Sequence, residues 1–247
     1  MTKLLVVNSN TSEAATRLIA AGCAPHIGPD MDVTYVNAAA GPQGIDTLLD
    51  VAISGLETVR LIARNRDSYD AFVDACGLDP ALEAARQVTD KPVIGIAEAG
   101  MLVACMLGAT FSILVTSRTQ VTHVRRLADH YGLTNRLASV RSIDTPTSEV
   151  IGGIFELQPR LVSAARLAID KDLAEVIVLT GSVMAGLETN LTKQVGVPAV
   201  SGMVCAIKLA RLMTDLGVRT SHVYTYCTLK KGDALLGYDD LQHVYSS

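Results

Sequence analysis

Three segments of this chain occur twice, in the same order and at nearly constant separation. LLVVNSNTSE resembles FSILVTSRTQ, YDAFVDACG resembles EVIVLTGS, and KPVIGIAEA resembles VPAVSGMVCA. The offsets are 108 residues (8 to 116), 105 (76 to 181) and 106 (92 to 198). Two copies are too few for a solenoid, so the repeat predicts two pseudo-equivalent lobes. Within each copy, short apolar runs of strand length alternate with stretches of helical periodicity, the pattern of a parallel sheet in an α/β fold. The expected architecture is two pseudo-symmetric lobes with a cleft between them. Each lobe has a parallel four-stranded (Rossmann-like) sheet flanked by helices. The first lobe is expected to comprise residues 1–97 plus 204–247 and to carry Cys76. The second is expected to comprise 98–203 and to carry Gly181. Facing lobes would set Cys76 and Gly181 on opposite walls of the cleft.

Strands are expected at Lys3–Val7, Val33–Val36, Ala71–Val73, Pro92–Ile96, Phe111–Val115, Leu137–Val140, Glu175–Leu179, Ala199–Ser201 and Val223–Tyr226. The first helix runs from Glu13 to about Ala21, with Asn10 at capping-box spacing. The second, Ile45–Arg64, carries Leu48, Val51, Leu56, Val59 and Ile62 on its apolar face. Further helices are expected from Asp79-Pro80 to about Val88, over Glu98–Leu107 (buried), Gln120–His130, Glu149–Ile169 with a break near Pro159, and Val204–Leu216. The tail after Lys230 shows no usable pattern.

Cys76 draws attention by its place. It follows the Ala71–Val73 strand and precedes Asp79-Pro80, which reads as an N-cap followed by proline at the first helical position. Amide groups and the helix dipole at such a point favour thiolate over thiol. The carboxyl ends of strands are also where α/β sheets bind ligands. A free cysteine is commonly a small buried hydrophobe, but such a residue belongs inside the strand rather than past its end.

Composition excludes several classes. A net charge of −4 with scattered basic residues argues against nucleic-acid binding. Five cysteines without tight spacing fit a reduced, cytoplasmic protein rather than a disulfide framework. No CxxC pair or histidine cluster suggests a metal, and no Gly-x-Gly-x-x-Gly follows a strand, so no nicotinamide cofactor is expected. The N-terminal segment reads as strand rather than targeting signal, and the apolar runs are too short to cross a bilayer.

Taken together, the motifs resemble the aspartate/glutamate racemase superfamily, and its hydantoin/allantoin racemase branch in particular. Asn8-Ser9-Asn10-Thr11-Ser12 is similar to the family's Asn-Pro-Asn-Thr-Ser, with Ser9 in place of proline. Gly41-Pro42 with Ile45-Asp46 resembles Gly-Pro-x-Ser-Ile-Glu, Gly44 standing for the serine. Cys76 to Leu82 resembles the first cysteine motif, Cys-Phe-x-Asp-Pro-x-Leu, with Gly77 for the bulky residue. Pro92 to Ala99 and Val197-Pro198 also match. VLTGSVMAG, Val178 to Gly186, resembles the second cysteine motif, Leu-Gly-Cys-Ala-Gly-Met-Ala-Gly, and puts Gly181 where the second cysteine belongs.

The resemblance implies cofactor-independent proton transfer alpha to a carbonyl of a small hydantoin-like or carboxylic acid substrate, with Cys76 as acid or base. In the family two cysteines face each other across the substrate. It also implies a homo-oligomer with no membrane partner. Asn10, Thr116, Ser117, Gly77, Gly181, Ser182 and Gly44 are the substrate-binding candidates. Thr116 and Ser117 serve equally as caps of the following helix, and Asn8 and Asn10 as turn residues. Ser182 is too weak an acid or base to replace a thiol unaided. Glycines at 77 and 44 predict a roomier, less polar pocket on that side. Three readings follow: a racemase, a one-cysteine decarboxylase or isomerase like arylmalonate decarboxylase, and a binding protein. Asp79 reads as a cap rather than a catalyst. Glu98 reads as a buried acid or a lobe-linking hydrogen-bond partner, His123 as structural, and Cys23, Cys105, Cys205 and Cys227 as core.

Overall fold

A computed structural model of the chain describes residues 1–145, 149–150, 157–227 and 237–245. The first half runs β1 (Thr2–Asn8), α1 (Glu13–Cys23), β2 (Met31–Asn37), α2 (Leu48–Asn65), β3 (Ala71–Asp74), α3 (Leu82–Gln87), β4 (Val93–Gly95) and α4 (Ile96–Leu107). The second runs β5 (Phe111–Val115), α5 (Arg118–His130), β6 (Leu137–Ser142), α6 (Leu157–Asp172), β7 (Val176–Leu179), α7 (Glu188–Val195), β8 (Ala199–Ser201) and α8 (Gly202–Asp215). A short α9 (Gln242–Tyr245) follows.

The strands form two parallel sheets of the same order, β2-β1-β3-β4 and β6-β5-β7-β8. The fold is therefore two α/β units of like topology, as the repeat implies. The central strands are apolar on both faces because helices cover both. Leu4, Leu5, Val6 and Val7 in β1 and Val176 to Leu179 in β7 are all essentially buried. One continuous core joins the units, with Leu4, Val6 and Ile94 in the same cluster as Leu114, Ile177 and Leu179. α8 packs on α4 and against β1, β3 and β4. The two helices touch main chain to main chain: a Cβ on Gly202 would lie 2.3 Å from the Ile96 carbonyl oxygen. No helix of the described residues is long and apolar enough to cross a membrane.

Several local expectations need correction. The first helix is capped by Ser12, whose hydroxyl accepts from the Ala15 amide. Asn10 instead accepts from the Ser12 amide. α2 starts at Leu48 behind a Thr47–Asp50 capping box, which leaves Leu48 exposed rather than on the buried face. Leu102, Met106 and Leu107 on α4 are likewise exposed. α7 was not anticipated from the sequence. Val223–Tyr226 is not a strand: Tyr224–Tyr226 forms a 3-10 turn with Tyr224 at φ 63°, paired to neither sheet. Pro159 lies inside the first turn of α6 without breaking it, where its missing N–H is harmless. Residues 151–156 of the expected Glu149–Ile169 helix lie outside the described residues. Cys227 is exposed rather than core. The tail does have a pattern: Leu241 and Val244 pack with Leu5, Ile62 and Phe72, while Asp240 pairs with Arg60 and Arg64.

The expected helix start at Asp79-Pro80 also fails. α3 begins at Leu82, after Asp79 and Ala81 have both taken left-handed backbone (φ 41° and 54°). The reason is tertiary. The Asp79 carboxylate turns away from its own segment and accepts from the Ala97 and Glu98 amides, at 3.0 and 2.8 Å, capping α4 instead.

Candidate functional site

The first and third strands of each sheet neighbour each other and connect in opposite directions, so the carboxyl ends of β1 and β3, and of β5 and β7, are topological switch points. The chain leaving those four ends lines a single pocket. Asn8 and Asn10 come from the end of β1, Cys76 and Gly77 from β3, Thr116 from β5, and Thr180 to Ser182 from β7. Of the sequence candidates, Cys76, Gly77, Asn10, Thr116, Gly181 and Ser182 meet here. Ser117 and Gly44 do not: Ser117 caps α5, and it is Ile45, one residue after Gly44, that reaches the pocket.

Cys76 is 7% exposed, at the pocket wall. The expectation of a favoured thiolate is not met. The helix start expected next to the sulfur lies further on, since the six-residue α3 starts beyond Ala81. Burial pushes the thiol well above its ordinary value. The Asp74 charge pushes it the same way, as do Asp79 and Asp46, against a hydrogen bond from the Leu78 amide. The resting group is the neutral thiol, a proton donor. No Asp, Glu, His, Lys or Tyr accompanies it among the described lining residues.

Behind the thiol, the departure from the family pattern at residue 9 has a partner. Asp74 is fully buried, and Ser9 donates to its Oδ1 at 2.9 Å while sitting 2.7 Å from Thr58 Oγ1. Proline at residue 9 could not make that bond. Burial, then the Asp79 charge, raises the Asp74 carboxyl well above the usual range.

The polar wall is orderly. Asn10 Oδ1 accepts from the Ser12 amide and from Asn8 Nδ2, which orients the side chain and leaves its own Nδ2 hydrogens without a partner among the described residues. The Ser182 hydroxyl is likewise unpartnered among them. Thr116 donates to Gln120 Oε1, and Gln120 Nε2 donates to the Ile45 carbonyl and to Asp46 Oδ1. Gln120 thus ties α5 to the loop before α2. It was missed as a site residue, although Ser117-x-x-Gln120 is a legible capping box.

Gly77 does not enlarge the pocket as expected. A Cβ on Gly77 would lie 2.3 Å from the Thr180 carbonyl oxygen, so the loop after β7 fills that space with main chain. Gly77→Ala is expected to force the two loops apart and to cost about 3 kcal/mol in urea unfolding. The three atoms nearest to a Cβ on Gly181 would all belong to the Met184 side chain, at 2.9 to 3.4 Å.

Asp79 is completely buried, and burial outweighs its three hydrogen bonds, raising its pKa from 3.8 to about 6. In the unfolded chain it ionises near 3.8; in the fold it holds its proton to about 6. The folded form therefore binds more protons between those values. The stability this group contributes is full below pH ~4, falls as pH rises to ~6, and is then flat, a loss on the order of 3 kcal/mol. Asp74 slopes the same way. The melting temperature is expected to fall from pH 5 to pH 7, and Asp79→Asn to flatten part of that slope.

Comparison with known proteins places this geometry in context. The family model described as Asp/Glu/Hydantoin racemase matches residues 4–210. A hydantoin racemase of Pseudomonas sp. (strain NS671) is 35% identical over 230 residues, 91% of this chain and 90% of that protein. A hydantoin racemase of Paenarthrobacter aurescens is 30% identical over 226 residues, 91% and 96% of the two chains. The solved structure of an allantoin racemase from Klebsiella pneumoniae superposes with a TM-score of 0.93 at 32% identity, covering 99% of each chain.

Proposed function

The chain belongs to the Asp/Glu/Hydantoin racemase family, and on that premise we propose that it transfers protons at the carbon alpha to a carbonyl of a small hydantoin-like or carboxylate substrate, with Cys76 as the acid/base and no cofactor. The observation that carries the reading is the lining itself: among the described residues, one ionisable side chain, Cys76, at the switch-point ends of both sheets. The thiolate form of Cys76 takes the proton from the alpha carbon, and the electron pair passes into the adjacent carbonyl as an enolate. The thiol then returns a proton to that carbon. The unpartnered Asn10 Nδ2 and Ser182 hydroxyl are the donors for the oxygen that gains charge. Thr116 is committed to Gln120 and shapes the wall.

Gly181 favours a second reading. With no acid on that wall, a planar intermediate formed by loss of carbon dioxide would be protonated by Cys76 from one face, a decarboxylase chemistry. Incubation with an enantiopure 5-substituted hydantoin in deuterium oxide separates the cases. Loss of optical rotation with deuterium uptake supports racemisation. Deuterium uptake with retained configuration supports one-faced exchange. Carbon dioxide from a disubstituted malonate, with neither of the above, supports the lyase. Inertness toward all of these substrates counts against the assignment.

A further inference from the structure

We propose that Tyr131 and Asp79 are a positioning pair for Cys76, through which the second unit of the fold holds the turn that carries the thiol of the first. The proposal rests on Cys76 being the reacting group. Neither residue lines the pocket.

The turn is an unfavourable one. The Asp79 amide donates to the Cys76 carbonyl at 3.0 Å, and two non-glycine residues, Asp79 and Ala81, sit in left-handed backbone within three positions. Such conformations persist only where the surroundings over-determine them. Here the surroundings come from two sides. The Asp79 carboxylate takes the Ala97 and Glu98 amides of α4, whose N-cap, Gly95, has no side chain to offer. From the other side, Tyr131, at the end of α5, donates its hydroxyl to Asp79 Oδ2 at 2.8 Å. His123 of the same helix places Nε2 3.2 Å from the Leu78 carbonyl, in the middle of the turn. The helix beside the second sheet thus grips the Cys76 turn at two points.

A neutral cap would serve α4 equally well and would avoid burying a charge. The carboxylate is kept where its charge reaches the sulfur. Among the described residues the groups facing it are Asp74 at the end of β3, Cys76 on its own turn, Glu98 on α4 paired with Arg86 of α3, and Tyr131 and His123 from α5. The Tyr131 hydroxyl has no other hydrogen-bond partner among the described residues.

The test uses Tyr131→Phe and Asp79→Asn, with two readouts against pH. One is kcat/KM for the hydantoin. The other, needing no substrate, is iodoacetamide alkylation read on the Cys76 peptide by mass spectrometry. In Tyr131→Phe the carboxylate loses a donor, so the inflection belonging to Asp79, near pH 6 in the native protein, moves up by about one unit. In Asp79→Asn that inflection disappears and the alkylation midpoint falls, because a negative charge beside the thiol is gone. A Tyr131→Phe variant that scales both rates evenly at every pH overturns the proposal. So does an Asp79→Asn variant with the native inflection and midpoint. If Asp79→Asn does not fold, Tyr131→Phe decides alone. Should Cys76→Ser retain native turnover, the reading of the reaction fails, and the alkylation profiles still decide whether the pair governs the thiol.

Discussion

Cys76→Ser is expected to lower kcat/KM for proton exchange at C5 of an enantiopure hydantoin by about 10³-fold, the middle of the range for losing a general acid/base. KM is expected to stay within a few fold, since the polar donors Asn10 and Ser182 remain. The substitution is nearly isosteric at a wall position, so the melting temperature should hold. A hydroxyl placed where the thiol was is too weak an acid to protonate carbon and too poor a base, once neutral, to deprotonate it. Deuterium uptake followed by mass spectrometry measures the loss directly. A residual rate within tenfold of native would mean that another group moves the proton, and the described lining offers no candidate.

The second large effect is a gain. Gly181→Cys is expected to raise the rate of optical inversion by about 10²-fold, by adding a second acid/base across the repeat-related position. Residue 181 has φ −65° and ψ 118°, ordinary for any side chain. The new Cβ would meet Met184 Cε at 2.9 Å and Cγ at 3.3 Å, the flexible arm of a methionine that yields by a few tenths of an ångström. Because Met184 is buried in the core, the substitution is expected to cost about 1 kcal/mol. Polarimetry under reducing conditions gives the rate of inversion, and deuterium uptake gives the rate of exchange. In the native protein exchange should outrun inversion; in Gly181→Cys the two should converge. If the native rates are already equal, the wall at residue 181 is not what limits inversion, and the one-thiol account is wrong.

Much of this was legible in the chain itself. The repeat announced the topology because the buried central strands, LLVV, AFV, ILV and VIVL, must be apolar on both faces, and such runs stand out. Cys76, Thr116 and Gly181 could be placed because each follows such a run within three residues. The failures are of another kind. Asp79-Pro80 carries a strong local helix-start signal, but the carboxylate is claimed by amides 18 and 19 residues away. Ser9 was visible as a departure, yet its reason, Asp74, lies 65 residues on. Gly77 suggested space, and the main chain of Thr180 fills it. Local periodicity cannot report what arrives from the other half of the molecule.

That last contact sets a rule for change. Because the loops after β3 and β7 abut through peptide groups at Gly77 and Thr180, the width of the gap above them is fixed by backbone and not by the residues that face into it. Those residues are then free to be exchanged. A thiol can be lost or regained at one wall, and donors swapped at the other, while the reacting carbon is presented at the same depth. A frame of this sort lets one ancestral architecture change its reaction by single replacements, provided the glycine that lets the halves meet is left alone.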